Sequence, residues 1–152
     1  MLKTGDLIGN FDVKTSGNND FTAMDLKGNK NILIFYPKDN TPGCTAAACS
    51  VRDSYEVFKD HGYKVYGISP DSVEKHQSFI KKFGFQYELL SDPEHSMINV
   101  FGVWGPKKFM GKSYEGLLRT TFVTDENLLI THVIDKVKTK VHAQQLRELL
   151  GI

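Results

Sequence analysis

The chain has 152 residues, 40% of them apolar and 24% charged, and a net charge of +1. That length suits one domain around one core, and the near-neutral balance gives no electrostatic case for nucleic acid or an acidic membrane. No apolar run approaches the roughly 20 residues that a bilayer crossing needs and the first residues carry no signal-peptide core, so the default expectation is a cytoplasmic protein.

Residues 1–10 hold Gly5 and Gly9 and little periodicity, which predicts a loose entry. Phe11-Asp12-Val13 alternates like a half-buried strand, Gly17-Asn18-Asn19-Asp20 is a turn signal, and Phe21 to Leu26 suits a second short strand. Together they predict an N-terminal hairpin. After a turn at residues 27–30, Asn31 to Tyr36 is continuously apolar apart from its first residue, as in a strand buried on both faces. Pro37 to Gly43 reads as a loop. A helix is predicted over Cys44 to Lys59, with Val51, Tyr55 and Phe58 on its inner face. Val65 to Ser69 is the next strand. Asp71 and Glu74 resemble a capping box before a helix that buries Val73, Ile80 and Phe83 and stops at Gly84. Tyr87 to Leu90 reads as a strand and Met97 to Phe101 as a short helix. Residues 102–117, with four glycines, a proline and three lysines, read as a long loop. Leu118 to Thr124 and Leu128 to Ile134 read as paired antiparallel strands, and Val141 to Leu150 as a last helix. Alternating strands and helices, then a hairpin and a helix, predict an α/β fold: a central mixed sheet with helices on both faces.

The only two cysteines, Cys44 and Cys49, lie where the loop becomes the helix. Four readings compete for them. Zinc or an iron–sulfur cluster normally needs four ligands, and the five histidines are scattered without paired spacing. A Cys-x-x-Cys redox pair has the wrong spacing. Two inert core cysteines are an ordinary outcome, and that reading suits Cys49 taken alone. Cys44 fits the fourth reading better. A strand, a turn of Thr-Pro-Gly and a cysteine at a helix start make a reactive thiolate, because the first helical N–H groups and the dipole favour negative charge.

The segment Tyr36-Pro37-Lys38-Asp39-Asn40-Thr41-Pro42-Gly43-Cys44-Thr45 resembles the active-site segment of peroxiredoxins, in particular the bacterioferritin-comigratory-protein or peroxiredoxin Q group. The pattern Pro-x-x-x-Thr-x-x-Cys falls on Pro37, Thr41 and Cys44. Ser50-Val51-Arg52-Asp53, Gly67-Ile68-Ser69, Leu90-Ser91-Asp92, Phe101 to Gly105 and Arg119 to Val123 extend the resemblance over nearly the whole chain. It implies a thioredoxin-like fold with an N-terminal extension, which agrees with the element order. It also implies a thiol peroxidase acting on hydrogen peroxide and alkyl hydroperoxides, recycled by thioredoxin or a similar dithiol protein, with no metal or prosthetic group and a monomeric state. A redox sensor that uses the same switch to control a partner is the alternative.

By this resemblance Cys44 is the peroxidatic cysteine. Arg119, in the apolar sequence Leu118 to Val123, is the cation beside its thiolate, although an edge-strand arginine facing water fits the residues alone equally well. Thr41 touches the peroxide through its hydroxyl, and Pro37 shields the thiolate and fixes the loop. Arg52 reads as a solvated helix residue within reach of the site. Many peroxiredoxins have a Glu three residues after the cysteine, where this chain has Ala47. Lys107, Lys108 and Lys112 read as solvated loop charges.

Cys49 is the resolving cysteine that the group often carries five residues on. In a continuous α-helix positions five apart are rotated by about 140° and stand about 8.7 Å apart at Cα. A disulfide needs roughly 4.4–6.8 Å. The first turns of the helix are therefore expected to unwind once Cys44 is oxidised.

Overall fold

The structure is a computed structural model that describes residues 1–152. Nine strands and six α-helices follow in the order β1 (Asp12–Thr15), β2 (Asp20–Thr22), α1 (Ala23–Leu26), β3 (Lys30–Phe35), α2 (Pro42–Asp53), α3 (Tyr55–Asp60), β4 (Tyr63–Ser69), α4 (Val73–Phe83), β5 (Glu88–Ser91), α5 (Ser96–Phe101), β6 (Trp104–Phe109), β7 (Lys112–Leu117), β8 (Thr120–Thr124), β9 (Ile130–Ile134) and α6 (His142–Leu150). Seven strands form one mixed sheet in the order β2-β1-β5-β4-β3-β8-β9, and β6 pairs only with β7.

Strand β3 explains why its sequence is apolar. It pairs in parallel with β4 and antiparallel with β8, so both edges are taken. Its alternate residues then face two cores. Leu33 and Phe35 join Phe101, Phe122 and the N-terminal residues Phe11 and Phe21 on one face. Ile32, Ile34 and Tyr36 join Cys44, Val51, Phe58, Phe79 and Leu146, contributed by α2, α3, α4 and α6, on the other. The predicted mixed sheet with helices on both faces is what the chain forms. No helix is long and apolar enough to cross a membrane.

The N-terminal hairpin is present, with Val13 opposite Phe21, and β1 adds it to the main sheet through β5. Its second strand is shorter than expected. The chain leaves β2 at Thr22 and makes the single helical turn α1, because Asp25 Oδ2 accepts from the Thr22 N–H at 2.8 Å and completes a capping signature within the expected strand. The expected Cys44–Lys59 helix is two helices interrupted at Ser54 (φ −111°, ψ 9°), and it begins earlier, with Thr41 as N-cap and a proline in the first turn. A proline there fits, since its missing N–H would be unpaired anyway. The cap of α4 is Ser72, whose hydroxyl accepts from the Lys75 N–H at 3.3 Å. Asp71 points inward instead, to the Ser69 hydroxyl at 2.7 Å. The residues of α4 that are fully buried are His76 and Phe79.

The largest difference lies at residues 102–117. They form the hairpin β6–β7, with Phe109 opposite Lys112. Met110 (φ 51°) and Gly111 (φ 78°) make the two-residue turn, and two positive φ angles are what a tight hairpin turn requires. Pro106 and the lysines on this exposed ribbon hide its alternation. Strands β8 and β9 are each two residues shorter at their N-termini than expected, which leaves Arg119 just outside β8.

Candidate active site

The site is built where β3 hands over to α2. The loop after β3 turns through Asn40, which has φ 60°. Thr41 is extended at the N-cap, and its carbonyl accepts the first helical bond from the Thr45 N–H at 2.8 Å. Cys44 follows in the first turn of α2 and is 2% exposed. Its thiol therefore sits at the start of the helix, shielded from water.

Arg119 reaches this sulfur from the other side of the chain. Its Nη2 donates to Cys44 Sγ at 3.2 Å. Gly43 lies beside this contact: a Cβ there would stand at ordinary van der Waals distance, 3.4 Å from Arg119 Nη2 and 3.9 Å from Thr139 Cγ2. The second guanidinium nitrogen, Nη1, is buried and no protein group accepts from it. The site thus offers a sulfur nucleophile with a cationic donor on one side and a spare buried donor beside it.

The other expected residues are placed as follows. Thr41 is half-buried and its hydroxyl donates to the Lys38 carbonyl at 3.0 Å, so its rotamer is held by the loop itself. Pro37 is half-buried at the exit of β3. Cys49 is half-buried, and both cysteines are free thiols. They stand on one uninterrupted helix, so Cys49 is not brought to Cys44. Arg52 is turned to the far end of α2, where Nη1 donates to the Phe83 carbonyl at 2.8 Å and Nε to Asp53 at 3.0 Å. Ala47 is 3% exposed. It lines, with Ile34, Tyr36, Cys44, Ala48 and Leu89, an apolar cavity of about 10 Å³, which at best equals the room one water needs. No acid could be hydrated there.

Two residues whose titration feels Arg119 were not assigned to the site from the sequence, and Lys107, expected as a solvated loop charge, is the first. Lys107 is half-buried and donates from Nζ to the Leu117 carbonyl at 2.9 Å. Its stem lies over Gly116, where a Cβ would come within 3.1 Å of Cδ. Burial pushes the Lys107 amine below its usual pKa and the Arg119 charge adds to this, while Cys44 opposes it. His142 is fully buried between the Thr121 hydroxyl at 2.8 Å and Gln145 Oε1 at 3.0 Å. Its pKa is lowered by burial first; the Gln145 bond opposes this and the Arg119 charge reinforces it. The available signal for Lys107 was the Met110-Gly111 turn, which sets the hairpin register. For His142 there was none, since its partners are defined only by the packing of α6 on β8.

The profile of the AhpC/TSA family matches residues 4–133. The chain is 41% identical to peroxiredoxin Bcp of Escherichia coli over 141 residues, 93% of this chain and 90% of that protein. It is 41% identical to peroxiredoxin Bcp of Bacillus subtilis over 141 residues, 91% of this chain and 90% of that protein. Among solved structures, a cysteine-to-serine mutant of Xylella fastidiosa PrxQ superposes with a TM-score of 0.91 at 30% identity, over 99% of this chain and 96% of that one. The Xanthomonas campestris bacterioferritin comigratory protein gives 0.85 at 31% identity, over 92% of this chain and 89% of that one. These likenesses establish the thioredoxin-like fold, and with it the chain belongs to the AhpC/TSA family of peroxiredoxins, in its bacterioferritin-comigratory-protein or peroxiredoxin Q group.

Proposed function

We propose that the whole chain acts as one peroxidase domain which reduces hydrogen peroxide and organic hydroperoxides through a Cys44 sulfenic acid, resolved by Cys49. Its family makes it a thiol-dependent peroxidase; the residue roles are our reading. The Cys44 thiolate attacks one peroxide oxygen. An S–O bond forms, the O–O bond breaks, and the departing alkoxide or hydroxide takes up a proton. The Cys49 thiolate then attacks the sulfenic sulfur, expels the oxygen as water and forms a disulfide. A dithiol protein of the thioredoxin type returns both thiols by exchange.

Lowering a pKa cannot carry the rate alone. A thiol of pKa about 8.5 is about 3% thiolate at pH 7. Full ionisation then adds only about 30-fold, near 2 kcal/mol, against a typical enzymatic acceleration of a millionfold or more. The remainder falls to groups that hold the peroxide in line and meet the charge growing on the leaving oxygen. The observation that carries the proposal is the Arg119 fork: Nη2 on Cys44 Sγ at 3.2 Å, with Nη1 buried and uncommitted. Thr41, at the helix start, is the second polar group assigned to the peroxide. Pro37 is assigned the task of shielding the sulfur. All of these groups belong to one chain, so a monomer suffices. The proposed location is the cytoplasm, where two free thiols persist between turnovers.

A steady-state assay with hydrogen peroxide, thioredoxin, its reductase and NADPH tests the reading. Cys44→Ser should abolish peroxide consumption. Cys49→Ser should keep one turnover and lose recycling. Loss of the first oxidation in Cys49→Ser would refute the assignment of roles.

A further inference from the structure

The loop between Tyr36 and Thr41 carries Pro37 and Thr41 and sets where α2 begins. Within it, the Thr41 hydroxyl donates to the Lys38 carbonyl at 3.0 Å. Thr41 makes no side-chain cap bond to α2, and Asn40 sits in the left-handed region at φ 60°. A second hold comes from below, through Asp39. This acid is 8% exposed, and each of its carboxylate oxygens is taken. Oδ1 accepts from the Tyr36 hydroxyl at 2.5 Å, and Oδ2 lies 2.6 Å from His76 Nδ1. Its backbone N–H donates to Asp71 Oδ2 at 2.7 Å.

His76 comes from α4 and has no exposed surface. Its Nε2 stands 2.9 Å from the Leu90 carbonyl. A carbonyl oxygen only accepts, so Nε2 donates to it, and a single proton is shared between Nδ1 and Asp39 Oδ2 in the second short bond. The phenol of Tyr36 is pushed well above its usual pKa, by burial first and by the Asp39 charge next, so it stays the donor. One carboxylate therefore stitches together the end of β3, the catalytic loop and α4, while His76 extends the stitch to β5. A buried charge that loses one partner is left uncompensated. The loop cannot lift away from α4 without breaking this pair.

We propose that Asp39 and His76 are positioning residues: their buried pair latches the loop to α4, holding Cys44 against Arg119 for peroxide attack and slowing its departure toward Cys49. This rests on the peroxidase reading above. The two chemical steps need opposite things of the same loop. Attack on peroxide needs Cys44 fixed beside Arg119, whereas resolution needs α2 to unwind. A latch upstream of Cys44 thus favours the first step and restrains the second.

The test uses the full chain with His76→Leu, and with Tyr36→Phe as the milder change that removes one donor from the same carboxylate. Hydrogen exchange of the reduced proteins reads the latch without reference to peroxide. Protection over residues 37–47 should fall in both variants while the sheet keeps its own. Rapid mixing then reads the two steps. Oxidation of Cys44 should slow, by about 10- to 100-fold in His76→Leu as expected for a displaced reacting group, and disulfide formation should quicken. Plain destabilisation does not move two rates in opposite directions. Unchanged exchange over 37–47, or both rates falling together, overturns the proposal. If His76→Leu does not fold, Tyr36→Phe decides by the same signs, smaller. A wild-type chain that leaves peroxide untouched refutes the peroxidase reading, while the exchange result still judges the latch.

Discussion

Arg119 is the residue on which Cys44 depends most. It places a charge beside the sulfur and keeps a second buried donor uncommitted, which in the proposed mechanism meets the leaving oxygen. Arg119→Met should lower the second-order rate of Cys44 oxidation by about 10²–10³-fold, the usual loss when such a donor is removed; stopped-flow mixing with peroxide measures it. Lys107 is a second cation whose titration feels Cys44. Removing a positive charge near a thiolate disfavours the charged form. Lys107→Met should therefore slow iodoacetamide alkylation of Cys44 at pH 7, and Lys107→Arg should restore most of it; equal alkylation rates in all three proteins would contradict this. Cys44 was legible because a cysteine after Thr-Pro-Gly is odd locally, whereas Arg119 was singled out only by the family resemblance, an edge-strand arginine fitting its residues equally well. Asp39 and His76 were not. They are 37 positions apart, each looks like an ordinary surface residue beside its neighbours, and only the docking of α4 under the loop makes them a pair.

The helix α2 is divided by how it is tied down. Its C-terminal half is bonded to its surroundings. The Tyr87 hydroxyl donates to the Ala48 carbonyl at 2.7 Å, the Ala143 N–H to the Ser50 hydroxyl at 3.0 Å, and Gln86 to the Arg52 carbonyl at 3.2 Å. Its first turns are tied by the Arg119 bond to Cys44, which the proposed oxidation of the sulfur alters. Unwinding should therefore run from Pro42 and stop before Ser50. Hydrogen exchange of the disulfide form should lose protection over residues 42–49 and keep it from 51 onward. Tyr87→Phe removes the anchor nearest Cys49. A hydrogen bond of this kind contributes about 1 kcal/mol, so disulfide formation should quicken by about fivefold. An unchanged rate, or protection lost along the entire helix, would contradict this boundary. Elements were legible where burial dictates composition, as in β3 and β4. The β6–β7 ribbon was not, because an exposed hairpin is written in turn geometry and pairing rather than in apolar residues. The break at Ser54 was also hidden, since Val51 and Phe58 keep the same inner face across it.

At the scale of the whole molecule, the sheet brings Arg119, 75 positions away, to Cys44 and leaves both faces covered. A further buried titratable group is His142, whose titration is influenced by the Arg119 charge. The free imidazole takes up a proton near pH 6.5, and His142 does so only at lower pH in the fold. Between these values the unfolded chain binds more protons, so stability falls as pH drops. It is fully present above about pH 6.5. Urea unfolding at pH 7 and pH 5 should show this loss, and His142→Gln should reduce it; an identical loss in the variant would assign it elsewhere. The mixed sheet was readable from the order of strands and helices, whereas its two separate buried clusters were not, since one core was expected. The proximity of particular side chains across it was not, because register and helix docking decide that. The central claim is that Cys44 takes the oxygen and Cys49 resolves it within one chain. Mass spectrometry after one equivalent of peroxide tests it most directly. The account predicts a monomer lighter by two hydrogens with Cys44 and Cys49 joined in one peptide, and Cys44 sulfenic acid in Cys49→Ser. Oxygen found on Cys49 while Cys44 stays free, or a disulfide joining two chains, would contradict it.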